Sequence, residues 1–295
     1  MSELISVVIP TYDRPSQLDE CLKGLALSHF PRDRFEVVVV DDGGRAPLDR
    51  IVDRFRGTFR VTLERQVNSG PAAARNRGAA LARGSFLAFI DDDCVPEPGW
   101  LAALERHSVA APGHLVGGQT INQLADNPYS TASQYLVSYL YNYTGAGDGP
   151  QVWTAFFASN NLGVPAEGFH RIGGFDPTFP LAAGEDRDFC ARWTEAGLSS
   201  IYAADARIMH RHHLGLTSFW RQHVNYGRGA FHFRRARLER GADPARPEPL
   251  RFYRDLVLYP FNHEPRARGF ALSSLLGLSQ IANVLGYLGE RRRQR

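Results

Sequence analysis

The sequence predicts an α/β fold built on a largely parallel sheet, and three observations carry that expectation. Apolar, β-rich runs alternate with helix-like stretches through the first 90 residues, the order of βαβ units. Two of these runs, Val37-Val38-Val39-Val40 and Phe86-Leu87-Ala88-Phe89-Ile90, are apolar on both faces, as strands are when helices cover both sides of a sheet. Both end in aspartates, Asp41-Asp42 and Asp91-Asp92-Asp93. Acidic groups therefore gather at the carboxyl ends of neighbouring parallel strands, where open α/β sheets bind ligands.

The elements follow in order. A strand over residues 5–9 leads into a helix over 16–27, whose start is marked by Pro15-Ser16. Next come a strand at 35–40, a helix at 48–55 and a strand at 59–63. Ser69-Gly70-Pro71 opens an Ala-rich helix over 71–82, with Gly84 as its stop, before the strand at 86–90. Beyond Gly113 the pattern loosens. Tyr135, Tyr139 and Tyr143 recur at helical spacing, which favours a packed face over a sugar platform, and the Gly-rich stretch 145–149 reads as a mobile loop. A helix-like run at 187–196 and a strand-like run at 201–203 follow. Residues 270–289 are apolar but interrupted by Ser273, Ser274, Ser279, Gln280 and Asn283, so they predict a docking or interfacial helix rather than a membrane span. Its apolar surface suits peripheral membrane contact, a homo-oligomer or packing on its own domain.

Composition narrows the function classes. With 43% hydrophobic and 22% charged residues the chain can bury a core, which excludes wholesale disorder. The formal charge of +3 is too weak to indicate a nucleic-acid partner. Basic residues nevertheless crowd 221–240 and the terminal Arg291, Arg292, Arg293 and Arg295, a distribution that suits anionic lipid, a diphosphate or a partner protein as well as a solvated face. Cys21, Cys94 and Cys190 lie far apart without CxxC spacing, so neither a zinc site nor a disulfide framework is expected and a reducing cytosol fits. Met1-Ser2-Glu3 lacks the start of a signal peptide. The expected location is cytoplasmic, including a peripheral position at the inner face of the membrane.

The Asp91-Asp92-Asp93 cluster is the sharpest chemical signal. Three adjacent carboxylates at a buried strand end repel one another unless a cation compensates, and hard oxygen ligands select Mg²⁺ or Mn²⁺, held by one or two carboxylates and a substrate's phosphates. Strand alternation puts Asp91 and Asp93 on one side and Asp92 on the other.

With that cluster stand Val7-Val8-Ile9-Pro10-Thr11-Tyr12-Asp13-Arg14, Val39-Val40-Asp41-Asp42-Gly43, Gly70-Pro71-Ala72-Ala73-Ala74-Arg75-Asn76-Arg77-Gly78, Gly173-Gly174-Phe175-Asp176 and Gly184-Glu185-Asp186. In this order the chain resembles a family 2 glycosyltransferase of the inverting, non-processive type, over about residues 4–215. The resemblance implies a GT-A fold, a Rossmann-like, mostly parallel sheet flanked by helices, here with a C-terminal helical extension. It implies a catalytic domain over 1–215, with a nucleotide-binding half at about 1–112 and an acceptor half at about 113–215, and the extension over 216–295.

Site roles follow from the same resemblance. Pro10, Thr11, Tyr12, Asp13 and Arg14 correspond to the loop lining the nucleotide, and Asp41 or Asp42 to the acidic partner of base or ribose, whose N–H and hydroxyl groups a carboxylate accepts. Arg75 and Asn76 fall near the nucleotide and sugar, and Asp91 and Asp92 join the donor site. Asp93 corresponds to the ligand of the metal in the DXD motif, Mn²⁺ or Mg²⁺, with a histidine from Met209-His210-Arg211-His212-His213 beside it, His210 ahead of His212. Asp186 corresponds to the general base that deprotonates the acceptor hydroxyl, although Glu185 and Asp186 also suit a helix N-terminus on charge alone. From their own chemistry rather than the resemblance, Trp153, Asn160, Asn161, Glu185 and Trp193 are the expected acceptor contacts, with a buried aromatic an equal reading of Trp193. Tyr226-Gly227-Arg228-Gly229 reads as a flexible basic spot, an ordinary loop ahead of one that folds over a diphosphate. Processive relatives carry Gln-x-x-Arg-Trp where this chain has Phe189-Cys190-Ala191-Arg192-Trp193, which favours single-sugar transfer.

The expected partners are a nucleotide-sugar donor, a UDP-sugar by default, and a sugar, lipid-linked or small-molecule acceptor. The expected setting is synthesis of cell-envelope polysaccharide, glycolipid or a glycosylated metabolite. Two alternatives stand beside this one. Nucleotidyl transfer would favour an early Gly-rich phosphate loop, which residues 10–14 lack. A nucleotide-sugar-binding scaffold would bind the donor without turnover.

Overall fold

In the computed structural model of the chain, residues 4–143, 156–180, 182–243 and 248–294 are described, together with the backbone of 152–153. β-Branched and aromatic residues dominate β1 (Ile5–Thr11), β2 (Phe35–Asp41) and β4 (Phe86–Ile90), and every residue of the three is buried. With β3 (Arg60–Arg65) they run parallel in the order β3-β2-β1-β4. The connections carry α1 (Pro15–Ala26), α2 (Asp49–Asp53) and α3 (Pro71–Leu81), close to the expected bounds. Proline opens both α1 and α3, where a missing N–H costs nothing. Gly70, at φ 87°, makes the turn into α3 that a side chain would resist.

The second half adds β5 (Cys94–Pro96), α4 (Trp100–Ala110), β6 (Leu115–Asn122), α5 (Pro128–Tyr143), β7 (Val152–Trp153), β8 (Asn161–Pro165), α6 (Ala166–Arg171), α7 (Glu185–Glu195) and β9 (Ser200–His210). The sheet continues as β4-β8-β6-β9-β5, with β7 also on β9. Here β8 runs antiparallel to both neighbours, β6 and β9 are parallel, and β5 and β7 are antiparallel to β9. The parallel character thus belongs to the first four strands, and the rest is mixed. One face of the sheet buries Leu18, Leu22, Trp100 and Leu104, the other Phe89, Phe157, Phe169, Phe175, Phe189 and Trp193.

Strand β9 outruns the expected 201–203 by several residues. Between Gly118 and Gln119 of β6 the register jumps on β9 from Ala203 to Arg207, so a bulge over Ala204, Asp205 and Ala206 hides the continuity that period-two alternation would have revealed. Met209 and His210 consequently belong to the strand, not to a following loop.

The extension comprises α8 (Leu216–Glu239), α9 (Leu250–Leu258), a 3₁₀ turn (Tyr259–Asn262) and α10 (Arg266–Arg293). Helix α10 crosses α8 at very short range, since a Cβ on Gly227 would lie 1.9 Å from the Asn283 carbonyl oxygen and one on Gly286 2.0 Å from that of Val224. The stretch Tyr226-Gly227-Arg228-Gly229 is therefore helix interior rather than a flexible spot, and its glycines serve close packing. Arg228 is occupied with Glu290, at 2.7 Å. The tyrosine stripe of α5 is a packed face, as expected, and its partner is the extension. The Tyr139 hydroxyl donates to the Phe252 carbonyl at 2.9 Å, and Tyr135 meets Tyr259 edge-on at 5.8 Å. The stretch 145–149 lies outside the described residues.

Candidate active site

A cleft of about 1930 Å³ runs across the carboxyl ends of β1 and β4, well above the roughly 300–1,000 Å³ that holds one small ligand. Pro10, Thr11, Tyr12, Arg14, Asp42, Arg75 and all of Asp91, Asp92 and Asp93 border it. His210, His212, Ser159, Asn160, Glu185 and Asp186 border it too, and α5, α8 and α10 supply further lining.

The acidic cluster does not follow strand alternation. β4 ends at Ile90 and the Cys94 N–H bonds back to the Asp91 carbonyl at 3.1 Å, so the three carboxylates sit on a turn and splay. Asp91 accepts from Arg75 Nη2 at 2.7 Å. Asp92 accepts from the Thr11 hydroxyl at 2.7 Å, and Arg14 Nη1 reaches both Asp92 (3.2 Å) and Asp93 (3.1 Å). Asp92 and Asp93 thus share a cation while Asp91 faces another. Burial pushes the Asp92 carboxyl up to about 7, Arg14 offsets part of this, and Asp93 adds to it. Burial acts on Asp93 in the same sense, yet its hydrogen bond to His210 and the charges of His210 and Arg14 together hold it below the usual carboxylate range.

Sheet register brings His210 to this turn from far along the chain. Cys94 pairs with His210 in the antiparallel β5/β9 ladder, and the Arg211 N–H donates to the Asp93 carbonyl at 2.9 Å. His210 Nε2 then stands 3.4 Å from Asp93 Oδ1. Asp93, His210 and Cys94 offer atoms all within 4.8 Å of one another. Burial raises the Cys94 thiol well above its ordinary pKa, so it stays protonated and is a poor donor to a hard cation. The remaining pair, a carboxylate oxygen and an imidazole nitrogen, fits Mn²⁺ or Mg²⁺ completed by phosphate oxygens. The His212 ring lies 5.1 Å from that of His210. Burial, then His210, lowers its pKa to about 4, so it is neutral at pH 7 and keeps a lone pair to donate.

Asp186 reaches the cleft from the start of α7. Gly184, in the left-handed region at φ 93°, turns the chain into α7, whose first turn carries Glu185 and Asp186. The Arg187 N–H donates to Asp186 at 2.8 Å. Burial and the neighbouring Glu185 raise the Asp186 carboxyl to about 7. Glu185 is 4% exposed, and burial raises it too; one oxygen accepts from Arg75 Nη1 at 3.3 Å and Oε2 has no partner among the described residues. Arg75 is itself buried, lies 5.6 Å from the centre of the Phe175 ring, and joins Asp91 to Glu185. One guanidinium therefore ties the acidic turn to the start of α7.

The other expected residues divide. Tyr12 is half-exposed at the rim. Asp13, at φ 52°, accepts from the backbone of Arg45 and Ala46 and does not border the cleft. Buried Asp41 is consumed by the Gly44 N–H and Arg65, whereas Asp42 borders the cleft while accepting from Gln66, Ser69 and Gly70. Asn76 clamps the Phe175 backbone at 2.7 and 2.8 Å, so it orders the wall rather than lining it.

Two expected acceptor contacts are corrected. Asn161 is 1% exposed, accepts from the Trp100 indole at 2.8 Å and donates to the Gln119 and Ala206 carbonyls, tying β6, β8 and β9. Trp193 is equally buried, with its indole N–H on the Ser199 carbonyl at 2.8 Å; an apolar core site suits that ring better than the cleft. Asn160 does border the cleft. The backbone of Trp153 pairs with Ser200, and its side chain lies outside the described residues. Gln222 and Asn225 of α8 line the cleft unforeseen. With Arg221 and Tyr226 they form a polar row at helical spacing, a signal present in the sequence.

Comparison with known proteins adds to this geometry. The family model described as glycosyl transferase family 2 matches residues 6–164. The pre-mycofactocin glycosyltransferase of Mycobacterium tuberculosis is 30% identical over 229 residues, covering 77% of this chain and 46% of its own. The validoxylamine A glucosyltransferase of Streptomyces hygroscopicus subsp. jinggangensis is 30% identical over 218 residues, covering 62% and 49%. The chain spans about half the length of these curated relatives. Among solved structures, the mannosyltransferase PcManGT from Pyrobaculum calidifontis, in complex with GDP-Man and Mn²⁺, superposes with a TM-score of 0.65 at 18% identity, covering 96% of this chain and 88% of that one. S. aureus TarS 1–349 in complex with UDP-GlcNAc gives 0.55 at 16% identity, covering 99% and 92%. At such identities the likeness carries the fold alone, and the expected GT-A architecture is met.

Proposed function

The chain belongs to glycosyl transferase family 2, and from that premise we propose that it moves one sugar from a nucleotide-sugar donor, a UDP-sugar by default, to an acceptor hydroxyl with inversion. The observation that carries this is the Arg75 bridge, which joins the acidic turn of Asp91 to the Glu185-Asp186 start of α7 within one cleft. Residues 1–215 perform the reaction and 216–295 supply the outer wall. The dispersed, buried cysteines suit a cytoplasmic setting.

On this reading the loop from Pro10 to Arg14 and Asp42 receive the nucleoside, and Arg14 and Arg75 offer positive charge to the diphosphate side. Asp93 and His210 hold the divalent ion, with His212 as the alternative ligand. When bound, Mn²⁺ or Mg²⁺ neutralises the diphosphate and stabilises it as the leaving group. Asp186 accepts the proton of the acceptor hydroxyl as its oxygen attacks the anomeric carbon from the face opposite the departing phosphate. Its carboxyl, raised to about 7, is basic enough for that task near neutrality. Glu185, beside it and held by Arg75, orients the turn, and Asn160 offers amide hydrogen bonds to acceptor hydroxyls.

The test is a panel of UDP-, GDP- and dTDP-sugars with the purified chain and Mn²⁺, read as nucleoside diphosphate release with and without chelator. One donor class is expected to yield metal-dependent nucleoside diphosphate. Release of pyrophosphate would assign nucleotidyl transfer instead, and saturable donor binding without turnover would assign a scaffold.

A further inference from the structure

The outer face of α10 leaves a row of large apolar side chains in water. Phe270, Ile281, Val284, Leu285 and Leu288 are 68%, 56%, 56%, 52% and 41% exposed. With Ser274 and Gly277 they recur at three- and four-residue spacing, which makes one stripe over about five turns. The opposite face is committed to the protein. Leu272, Leu276 and Ala282 are fully buried, and Gly286 presses on the Val224 carbonyl. Glu290, 4% exposed, takes hydrogen bonds from Arg228 and His232.

That commitment decides how the helix can meet a lipid phase. By length and composition α10 could cross a membrane, but a span would strip away the α8 contact and carry Glu290 from its partners into hydrocarbon. A helix held to its domain by one face, with a second face apolar and wet, lies in the plane of a membrane surface.

Charge selects the occupant. The stripe runs out into Arg291 and Arg292, both exposed, and Arg292 continues the line of Ile281, Leu285 and Leu288, while Arg293 turns back toward Glu290 at 3.7 Å. Exposed Arg266 stands at the other end. Glu290 is the only acid in α10, and it is buried. A face that is apolar in the middle, cationic at both ends and free of exposed carboxylates complements an anionic lipid surface. A second copy of the same face would offer these arginines no acid in return. Val284, Leu288 and Arg291 also border the active-site cleft.

We propose that the outer face of α10 docks this protein on an anionic lipid bilayer, setting the mouth of the cleft at the membrane surface. Docking does not depend on the transferase reading, because it is measured without turnover. The experiment is flotation of the full chain with phosphatidylcholine vesicles, with and without phosphatidylglycerol, at rising salt. Binding is expected only to the anionic vesicles and weakens as salt screens the arginines. Paired Ile281→Glu and Leu285→Glu, which lie outside the cleft, lower the bound fraction about tenfold or more, while thermal unfolding and nucleoside diphosphate release stay as in the parent. Paired Arg266→Gln and Arg292→Gln lower binding to anionic vesicles by about tenfold. No flotation with either vesicle, or binding unchanged in both variants, overturns the proposal. So does a parent dimer that Ile281→Glu and Leu285→Glu convert to monomer without any vesicle binding, which would make this face an interface between copies.

Discussion

Asp186 is where side-chain chemistry and stability pull against each other. Its carboxyl is raised from an ordinary 3.8 to about 7 by burial and Glu185, so between these values the folded chain holds a proton that the unfolded chain has released. Its contribution to stability therefore falls as pH rises from about 4 to 7 and stays low above. Asp186→Asn removes that cost and is expected to raise the melting temperature at pH 8 but not at pH 4, by differential scanning fluorimetry. The same change removes the proposed base, so on that reading transfer is expected to fall by about 10²–10⁴-fold with donor affinity retained. In the parent, the proposed base role predicts transfer that rises with pH to a plateau above about 7 as Asp186 deprotonates. Near-parental transfer by Asp186→Asn would remove it from the base role. At this scale residue types were legible in the sequence while their directions were not. Asp93 and His210 do meet, but alternation misassigned Asp92, because β4 stops at Ile90 and a turn, not a pleat, aims the three carboxylates.

Among the elements, the α8/α10 crossing is the most exacting contact. Gly-to-Ala inside a helix ordinarily stabilises by up to about 1 kcal/mol. At Gly227 the new Cβ would meet the Asn283 backbone oxygen at 1.9 Å, so Gly227→Ala is expected to destabilise by about 1–3 kcal/mol through overpacking. Gly277, in α10, has open space where a Cβ would stand. It is the control, and Gly277→Ala should gain up to about 1 kcal/mol. Urea denaturation of the pair separates packing from propensity, and a loss of equal size at both positions would refute the close-crossing account. The same scale shows why Tyr226-Gly227-Arg228-Gly229 misled. Two glycines beside a basic residue have the composition of a loop, and only a partner helix at very short range explains them as packing.

Across the whole molecule the cleft draws on the parallel strands with α3, the β8–α7 region with β9, the β6–α5 segment and the C-terminal helices. A donor and metal that bridge the first two stabilise the folded chain as a unit, by about 2.7 kcal/mol at a hundredfold excess over the dissociation constant. We expect a rise in melting temperature of about 5–10 °C with donor and Mn²⁺ together, and loss of the Mn²⁺-dependent part in Asp93→Ala. An equal metal response in that variant would move the ion elsewhere. The sequence by itself determined the parallel half of the sheet, its helices and the acidic strand ends, because local periodicity and turn chemistry act within a few residues of one another. Only the tertiary structure decided that His210 reaches Asp93, that Asn161 and Trp193 belong to the core, and that α8 and α10 wall the cleft. Strand register and helix crossings join residues a hundred positions apart, and no local pattern encodes which faces meet.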